Sequence, residues 1–500
     1  MIRFFEILPA TLSWLTLLLM FLVSWKAAFW AAIFIILFDT YWLLKTLYLS
    51  LHLRFAFNQM RNNEKKNWLQ ELNNLKNSNF DWKEIYHLII LPMHNEPYEV
   101  VKESFESLAK INYPKEKMIV VLATEERAGE DFQVVAKKIE AEFGNKFYKF
   151  LVTTHPKDLP GEIPGKGSNE SYSAEETRKI ILDPLGINYE NILVSVFDVD
   201  TQIGTEYFSL LTYKFLTCEK PQRTSFQPIP LFTNNIYEAP ALARVVSFSA
   251  TFWHMMQQAR PERLTTFSSH SMPFRALVEI GYWHKDVVSE DSRIFWQLFL
   301  HYNGDWRVEP MFYPVSMDAN VAPTFWKTMV NIYKQQRRWG YGVENVPYLL
   351  DGFRKNKSIS FKTKFYWAFN ILEGFHSWAT NAIIIFALGW LPVLIGGMAF
   401  DKTILAYNLP QITRWILTLS MVGVASSAIL SVLLLPSKPK GFKIWHYALY
   451  LLQWILMPFT LILFGAIPGL EAQTRLALGG KFKLGFWVTP KGRYKNGDHL

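Results

Sequence analysis

Tyr86-His87-Leu88-Ile89-Ile90-Leu91 runs into the polar turn Pro92-Met93-His94-Asn95-Glu96-Pro97 and then into the amphipathic segment Tyr98–Lys110. A short apolar run closed by a Pro-bounded turn predicts a buried strand, and the segment after it a helix. The pattern recurs downstream. Met118–Ala123 predicts a second strand, Phe132–Phe143 a second helix, and Phe147–Thr153 and Ile192–Phe197 further strands. Strands alternating with helices predict an α/β domain built on a mostly parallel sheet covered on both faces. Ligands of such sheets bind beyond the carboxyl ends of the strands, where the polar groups of this chain fall.

Outside this central region the sequence changes character. Residues from Ile2 to about Ser50 are almost continuously apolar, broken by Lys26, Asp39 and Lys45. A membrane-spanning helix needs about 20 apolar residues, so this stretch predicts two, with a turn near Ser24-Trp25-Lys26. The second apolar segment follows the first at once, with no small-residue cleavage site between them, which argues against a cleaved signal peptide. A second apolar block covers Tyr366–Ile395, Gln411–Leu435 and Ile444–Pro468. Pro458, Gly465 and Pro468 interrupt its last part, predicting a third crossing, a segment that dips in and returns, or one that lies at the interface.

Basic residues favour the cytoplasmic ends of membrane helices. Arg54, Arg61, Lys65 and Lys66 follow the first block, Arg354, Lys355, Lys357, Lys362 and Lys364 precede the second, and Lys438, Lys440 and Lys443 fill a loop within it. Asn58–Lys364 is therefore expected in the cytosol, with the N-terminus and the basic tail (Arg475, Lys481, Lys483, Lys491, Arg493, Lys495) on the same side of a bacterial-type plasma membrane. Asp39, within an apolar segment, is expected to face other helices or water. The organisation that follows is two membrane helices in 1–50, a linker helix in 51–84, the α/β domain in 85–325, interfacial amphipathic helices in 326–365, two or three membrane helices in 366–470 and the tail in 471–500.

The net charge of +9 suits a membrane surface or phosphorylated ligands. Nucleic acid is not expected as a partner, because the basic residues sit beside apolar segments rather than forming a central stripe. One cysteine, Cys218, excludes a disulfide framework and an all-cysteine metal site.

Four groups carry chemistry. Ser195-Val196-Phe197-Asp198-Val199-Asp200 ends an apolar strand in two carboxylates, a pair able to hold Mg²⁺ or Mn²⁺ against a diphosphate. Val287-Val288-Ser289-Glu290-Asp291 offers a carboxylate to take a proton from an attacking hydroxyl, or simply a cap for the following helix. Gln335-Gln336-Arg337-Arg338-Trp339 is either an interfacial helix or a place where an indole underlies a sugar ring and a guanidinium meets phosphate. Gly165-Lys166-Gly167-Ser168-Asn169 is a turn with a cation, without the spacing of a phosphate loop.

Taken in order, these residues resemble the membrane-bound family 2 glycosyltransferases, which include the cellulose, chitin and hyaluronan synthases. Pro92-Met93-His94-Asn95-Glu96 is similar to their first-strand nucleotide motif, Lys166-x-x-Asn169 to their Lys-x-x-Asn element, and Asp198-x-Asp200 to their metal and donor motif. Phe226-Gln227-Pro228, Ser289-Glu290-Asp291 and Gln335-x-x-Arg338-Trp339 follow in register, and Phe486-Trp487-Val488-Thr489-Pro490-Lys491 resembles a Phe-x-Val-Thr-x-Lys gating motif. The likeness covers residues 85 to 345. It departs after the second strand, where Glu125 or Glu126 stands in place of the family's base-contacting Asp, and at the tail, where no membrane helix follows the gating motif. A complete polymer channel is therefore not expected.

The resemblance implies a GT-A, Rossmann-like catalytic domain inserted between membrane helices, and metal-dependent transfer, with inversion at the anomeric carbon, from a nucleotide-sugar such as a UDP-sugar to a saccharide acceptor at the cytosolic membrane face. It implies Asp291 as catalytic base. Asn95, Glu96, Glu125, Lys166, Asp198, Asp200 and Arg338 would serve the donor, Asp198 and Asp200 the metal, and Gln335, Trp339 and Glu290 the acceptor. Phe232–Pro240, Arg260–Met272 and Tyr302–Asp318 suit either an acceptor channel or core packing. A single transfer onto a membrane lipid is the nearest rival to polysaccharide synthesis, and a non-catalytic nucleotide-binding scaffold the more distant one.

Overall fold

The computed structural model describes residues 1–75 and 81–492; Arg493 and Lys495 of the basic tail lie outside them. The strands are β1 (Tyr86–Pro92), β2 (Met118–Glu125), β3 (Lys149–His155), β4 (Ile192–Val196), β5 (Gln202–Ile203), β6 (Thr224–Phe232), β7 (Ser271–Pro273) and β8 (Arg307–Met317). They form one sheet in the order β3-β2-β1-β4-β7-β6-β8-β5. The half β3-β2-β1-β4 is parallel as its alternation with helices requires. The other half is mixed: β7 runs antiparallel to β4 and β6, β8 is parallel to β6, and β5 is antiparallel to β8.

Both faces of the sheet are buried because successive side chains of a strand point to opposite sides. From β1, Ile89 and Leu91 join one core with Phe105 and Phe208, while Leu88 and Ile90 join the other with Phe295 and Trp283. Strand order reverses between β1 and β4, since β2 lies on one side of β1 and β4 on the other. That is where an open α/β sheet leaves a crevice.

The helices that frame the site are α1 (Ile2–Lys26), α2 (Ala28–Glu64), α3 (Lys166–Thr177), α4 (Ala241–Gln258), α5 (Glu290–His301), α6 (Phe325–Gly340), α7 (Phe361–Phe386), α8 (Ile404–Leu433) and the helical run α9 (Ile444–Leu478). Among the described residues four helices, α1, α2, α8 and α9, are long and apolar enough to cross a membrane, and α7 joins them when taken with Leu388–Ile395, to which it is bent by 47°. The chain turns between α1 and α2 at Ala27. The sequence reading ended the second helix near Ser50, but α2 continues unbroken to Glu64. It does so because Leu53, Ala56 and Met60 pack into a core shared with α4, β6 and α8. Gly423 lets α8 approach α2 closely; a Cβ there would lie 2.5 Å from Thr46 Cγ2.

Pro458, Gly465 and Pro468 do not break α9. Both prolines start a helical turn, where a missing N–H costs little, and Ile462–Ala466 is a π turn. Both ends of α9 meet the α/β domain and its flanking helix. Near its start, Arg244 Nε donates to Gln453 at 2.8 Å. Near its end, Tyr333 Oη and Arg337 Nη1 donate to Glu471 at 2.6 and 2.7 Å.

Candidate active site

The crevice is built from strand ends. Glu96 follows β1, Glu125 ends β2, and Asp198 and Asp200 follow β4. Glu96 is buried and accepts the His94 N–H at 2.8 Å; burial pushes its carboxyl up, against the pull of Lys491. Glu125 is buried at the cavity wall beside Arg127, whose Nη2 donates at 3.1 Å, whereas Glu126 turns to the surface and accepts the Lys157 N–H at 3.0 Å. Of the two glutamates left open by the sequence, Glu125 is the one that faces the site. Asn95 is exposed and does not line the cavity, so the expectation that it joins the other donor residues fails; it sits on the outer side of the turn whose inner side Glu96 occupies.

Lys166 opens α3 and lies at the centre of the charged groups. Its Nζ is 2.9 Å from Asp291 Oδ1, 3.0 Å from Asp198 Oδ1, 3.4 Å from Glu170 Oε1 and 3.8 Å from Glu290 Oε1. Burial works to strip its proton, but these carboxylates hold the ammonium charged. Conversely, Asp198 is held well below the usual carboxylate range by Lys166 and Lys491 in spite of its burial. Gly167 lets α3 reach this position: a Cβ there would lie 2.8 Å from the His284 carbonyl oxygen and 3.0 Å from Glu290 Cβ.

Glu290 and Asp291 begin α5. Ser289 stands at the cap position but does not cap; its hydroxyl donates instead to Glu344 Oε1 at 2.8 Å. Burial, reinforced by Asp291, pushes the Glu290 carboxyl up to about 8. Asp291 is fixed by its carbonyl, which accepts the Thr266 hydroxyl at 2.7 Å, and its side chain keeps some exposure. His270 Nδ1 lies 3.6 Å from Asp291 Oδ1 and is held neutral by burial.

From the other wall, α6 presents Gln335, Arg338 and Trp339. The Trp339 ring packs 5.8 Å from that of Phe232, and Gln335 Oε1 accepts from Asn320 at 3.4 Å. The tail then closes the crevice. The Phe486 ring lies 4.9 Å from the Arg338 guanidinium and against Gly165, where a Cβ would come within 3.0 Å of it. Lys491 Nζ donates to Asp200 Oδ1 at 2.5 Å, while Asp200 Oδ2 accepts the Asp318 N–H at 3.1 Å.

Glu96, Glu125, Lys166, Asp198, Asp200, Glu290, Asp291, Gln335, Arg338 and Trp339 thus line one cavity of about 1110 Å³. From the carboxylates it continues between α2, α7, α8 and α9. Its lining residues on α7 run from Trp367 to Phe386, about 28 Å of helix. Asp39 is on this wall, so it faces the cavity and not lipid. Of the three segments singled out as channel or core, Phe232, Arg260, Arg263, Phe267 and Asp318 line the cavity and Tyr302 does not.

Glu170 was not foreseen. It is fully buried beneath Lys166 with no hydrogen-bonded donor, and burial drives its carboxyl well above the usual range. Its position four residues after Lys166, on one helix face, was the available signal.

Asp198 and Asp200 each already hold an ammonium, Lys166 and Lys491, so both carboxylates lie where positive charge is attracted. Among the described residues, the acidic oxygens close enough together to share one ion are those of Glu170, Glu290 and Asp291. Bound at either place, Mg²⁺ or Mn²⁺ would offset the negative charge of a diphosphate.

No family model matches the chain, and no curated protein does. Among solved structures it is similar to the mannosyltransferase PcManGT from Pyrobaculum calidifontis in complex with GDP-Man and Mn²⁺, at 12% identity and a TM-score of 0.41, over 77% of this chain and 99% of that one. It is also similar to S. aureus TarS 1-349 in complex with UDP-GlcNAc, at 14% identity and a TM-score of 0.36, over 69% of this chain and 90% of that one. GalNAc-T7 with UDP, GalNAc and Mn²⁺ follows at 10% identity and a TM-score of 0.32, over 65% of this chain and 58% of that one.

Proposed function

We propose that the protein is a membrane-embedded glycosyltransferase with a GT-A-type domain, moving a sugar from a nucleotide-sugar to an acceptor hydroxyl with inversion. One observation carries this reading: Asp198, Asp200, Asp291, Lys166, Arg338 and Trp339, remote in sequence, line the same cavity. In the proposed reaction Asp291 accepts the proton of the acceptor hydroxyl. The new bond forms from the acceptor oxygen to the anomeric carbon as the bond to the diphosphate oxygen breaks on the opposite face, and the nucleoside diphosphate leaves. Lys166 holds Asp291 and Asp198 in a fixed relation, so the base needs little reorganisation. Arg338 supplies positive charge toward the departing diphosphate, and Trp339 an apolar face for a sugar ring. Asp198 and Asp200 would hold the divalent cation.

The helix ends rich in lysine and arginine favour a cytosolic α/β domain, and α9, with both ends on that domain, is read as lying along the membrane face while α1, α2, α7 and α8 cross. The acceptor, saccharide or lipid, would enter through the part of the cavity between those helices. The test is purified full-length chain in detergent, incubated with UDP- and GDP-sugars and Mn²⁺ or Mg²⁺. Release of free nucleoside diphosphate that disappears in Asp291→Asn is expected. Nucleotide binding without release under every donor would leave only a scaffold.

A further inference from the structure

Where the cavity passes from the α/β domain into the helix bundle, Lys45 of α2 and Arg260 and Arg263 after α4 line it. The Arg263 N–H donates to the Arg260 carbonyl at 3.0 Å, closing a single turn, so the two arginines are held beside one another. Glu373 of α7 answers two of the cations, 3.2 Å from Lys45 Nζ and 3.6 Å from Arg263 Nη2. Among the described residues Arg260 pairs with the outward-facing Glu262 alone, at 3.9 Å, a side chain 60% exposed, and its Nε is buried without a hydrogen-bond partner there. Asp39, the carboxylate that α2 itself brings to the wall, lies about 9 Å farther along that helix from Lys45. At this level the wall therefore carries more positive than negative charge on side chains that are only partly exposed.

We propose that Lys45, Arg260 and Arg263 form a collar that binds the phosphate of a lipid-linked acceptor. This rests on the transfer reading above and names its acceptor class. Guanidinium forks match phosphate oxygens, and the Glu373 carboxylate already occupies part of the place such an anion would take. Thr266, whose hydroxyl holds the Asp291 carbonyl, is three residues after Arg263, so the collar and the base are tied to one short stretch of chain on the wall of the same cavity. In the proposed acceptor a short saccharide would bridge them. Where it is lined by helices the same cavity is largely apolar, with Leu417, Met421 and Val424 of α8 and Ile455, Leu461 and Phe464 of α9. Hydroxyl at Asp291, phosphate at the collar and hydrocarbon among the helices is the order of parts in a phosphate-linked lipid saccharide.

The test uses the full chain in detergent with farnesyl phosphate, farnesol and inorganic phosphate as probes, read by quenching of Trp42, Trp253 and Trp378, which line the cavity. Farnesyl phosphate is expected to bind about tenfold or more tightly than farnesol, a difference lost in Arg263→Gln and in Arg260→Gln and largely kept in Arg263→Lys. Lys45→Gln, on a different helix, carries the same expectation should an arginine variant fail to fold, and nucleotide binding by each variant reports its integrity. Equal binding of farnesol and farnesyl phosphate, or unchanged affinity in the variants, would overturn the collar. Full competition by inorganic phosphate would overturn its assignment to a lipid. The assay needs no turnover, so it fails or succeeds independently of nucleoside diphosphate release.

Discussion

Replacing Lys491 by Met should tighten, not weaken, divalent-cation binding. The Lys491 ammonium rests 2.5 Å from an Asp200 oxygen, with the two side chains 16% and 2% exposed. At an effective dielectric of about 20, two unit charges at that distance attract by roughly 7 kcal/mol. Desolvation of so buried a carboxylate takes back most of it, leaving a net contribution of about 1.4–2.8 kcal/mol as the working range. A cation entering the Asp198–Asp200 seat must displace the ammonium, so its apparent affinity is reduced by that amount, about ten- to a hundredfold. Lys491→Met removes the competitor and leaves the Asp200 carboxylate in place. Titration of Mn²⁺ into wild type and variant, followed by the electron paramagnetic resonance of free Mn²⁺, should show the variant saturating at about a tenth or less of the wild-type concentration. Equal or weaker Mn²⁺ binding by the variant would refute the competition, and with it the idea that the tail lysine occupies the seat of the metal.

Asp291→Asn should reduce kcat by about a hundredfold to ten-thousandfold while nucleotide affinity stays within a few-fold, checked by turnover and by direct binding; a parallel loss of both would remove Asp291 as base. Gly167→Ala should cost about 1–3 kcal/mol in denaturant unfolding, because the added methyl meets the His284 carbonyl at 2.8 Å and backbone cannot yield cheaply. His87, buried in β1 with its Nε2 2.9 Å from Thr212 Oγ1, is pushed by burial from 6.5 down to about 3. Its folded value is depressed, so its share of stability is intact above pH 6.5 and falls by about 1.4 kcal/mol per pH unit as pH drops toward 3. His87→Leu should flatten that acid limb in a pH series of unfolding curves.

The parallel half of the sheet was legible because β1, β2 and β4 are short apolar runs ending in polar turns. β3 lies two residues later than its apolar run suggested, since Phe147 is a buried anchor before the strand rather than part of it. The mixed half was less legible: β7 is three residues long, and β6 carries Pro228 and Pro230, so that only the resemblance of Phe226-Gln227-Pro228 to a strand motif pointed to it. The extension of α2 to Glu64 was hidden by its shift from apolar to polar composition, which marks the end of a membrane segment but not the end of a helix. Among site residues, the sequence could name carboxylates by motif but not their neighbours. That Lys166 bridges Asp198 and Asp291, and that Glu125 faces inward while Glu126 does not, depends on contacts between segments far apart in the chain.

The return of α9 to the domain from which it sets out has a consequence for assembly. Its apolar 18-residue stretch has a mean hydropathy of 1.9, close to the 2.1 of the one in α8, so composition alone gives an inserting bilayer little reason to treat the two differently. What distinguishes α9 is its set of docking partners, Arg244, Tyr333 and Arg337, all of which precede it in the chain. Synthesis from the N-terminus makes those partners available first. If α9 stays on the domain as proposed, its resting place would be decided by a surface already folded when it emerges, and a lesion in α4 or α6 is expected to misroute a segment whose own sequence is intact.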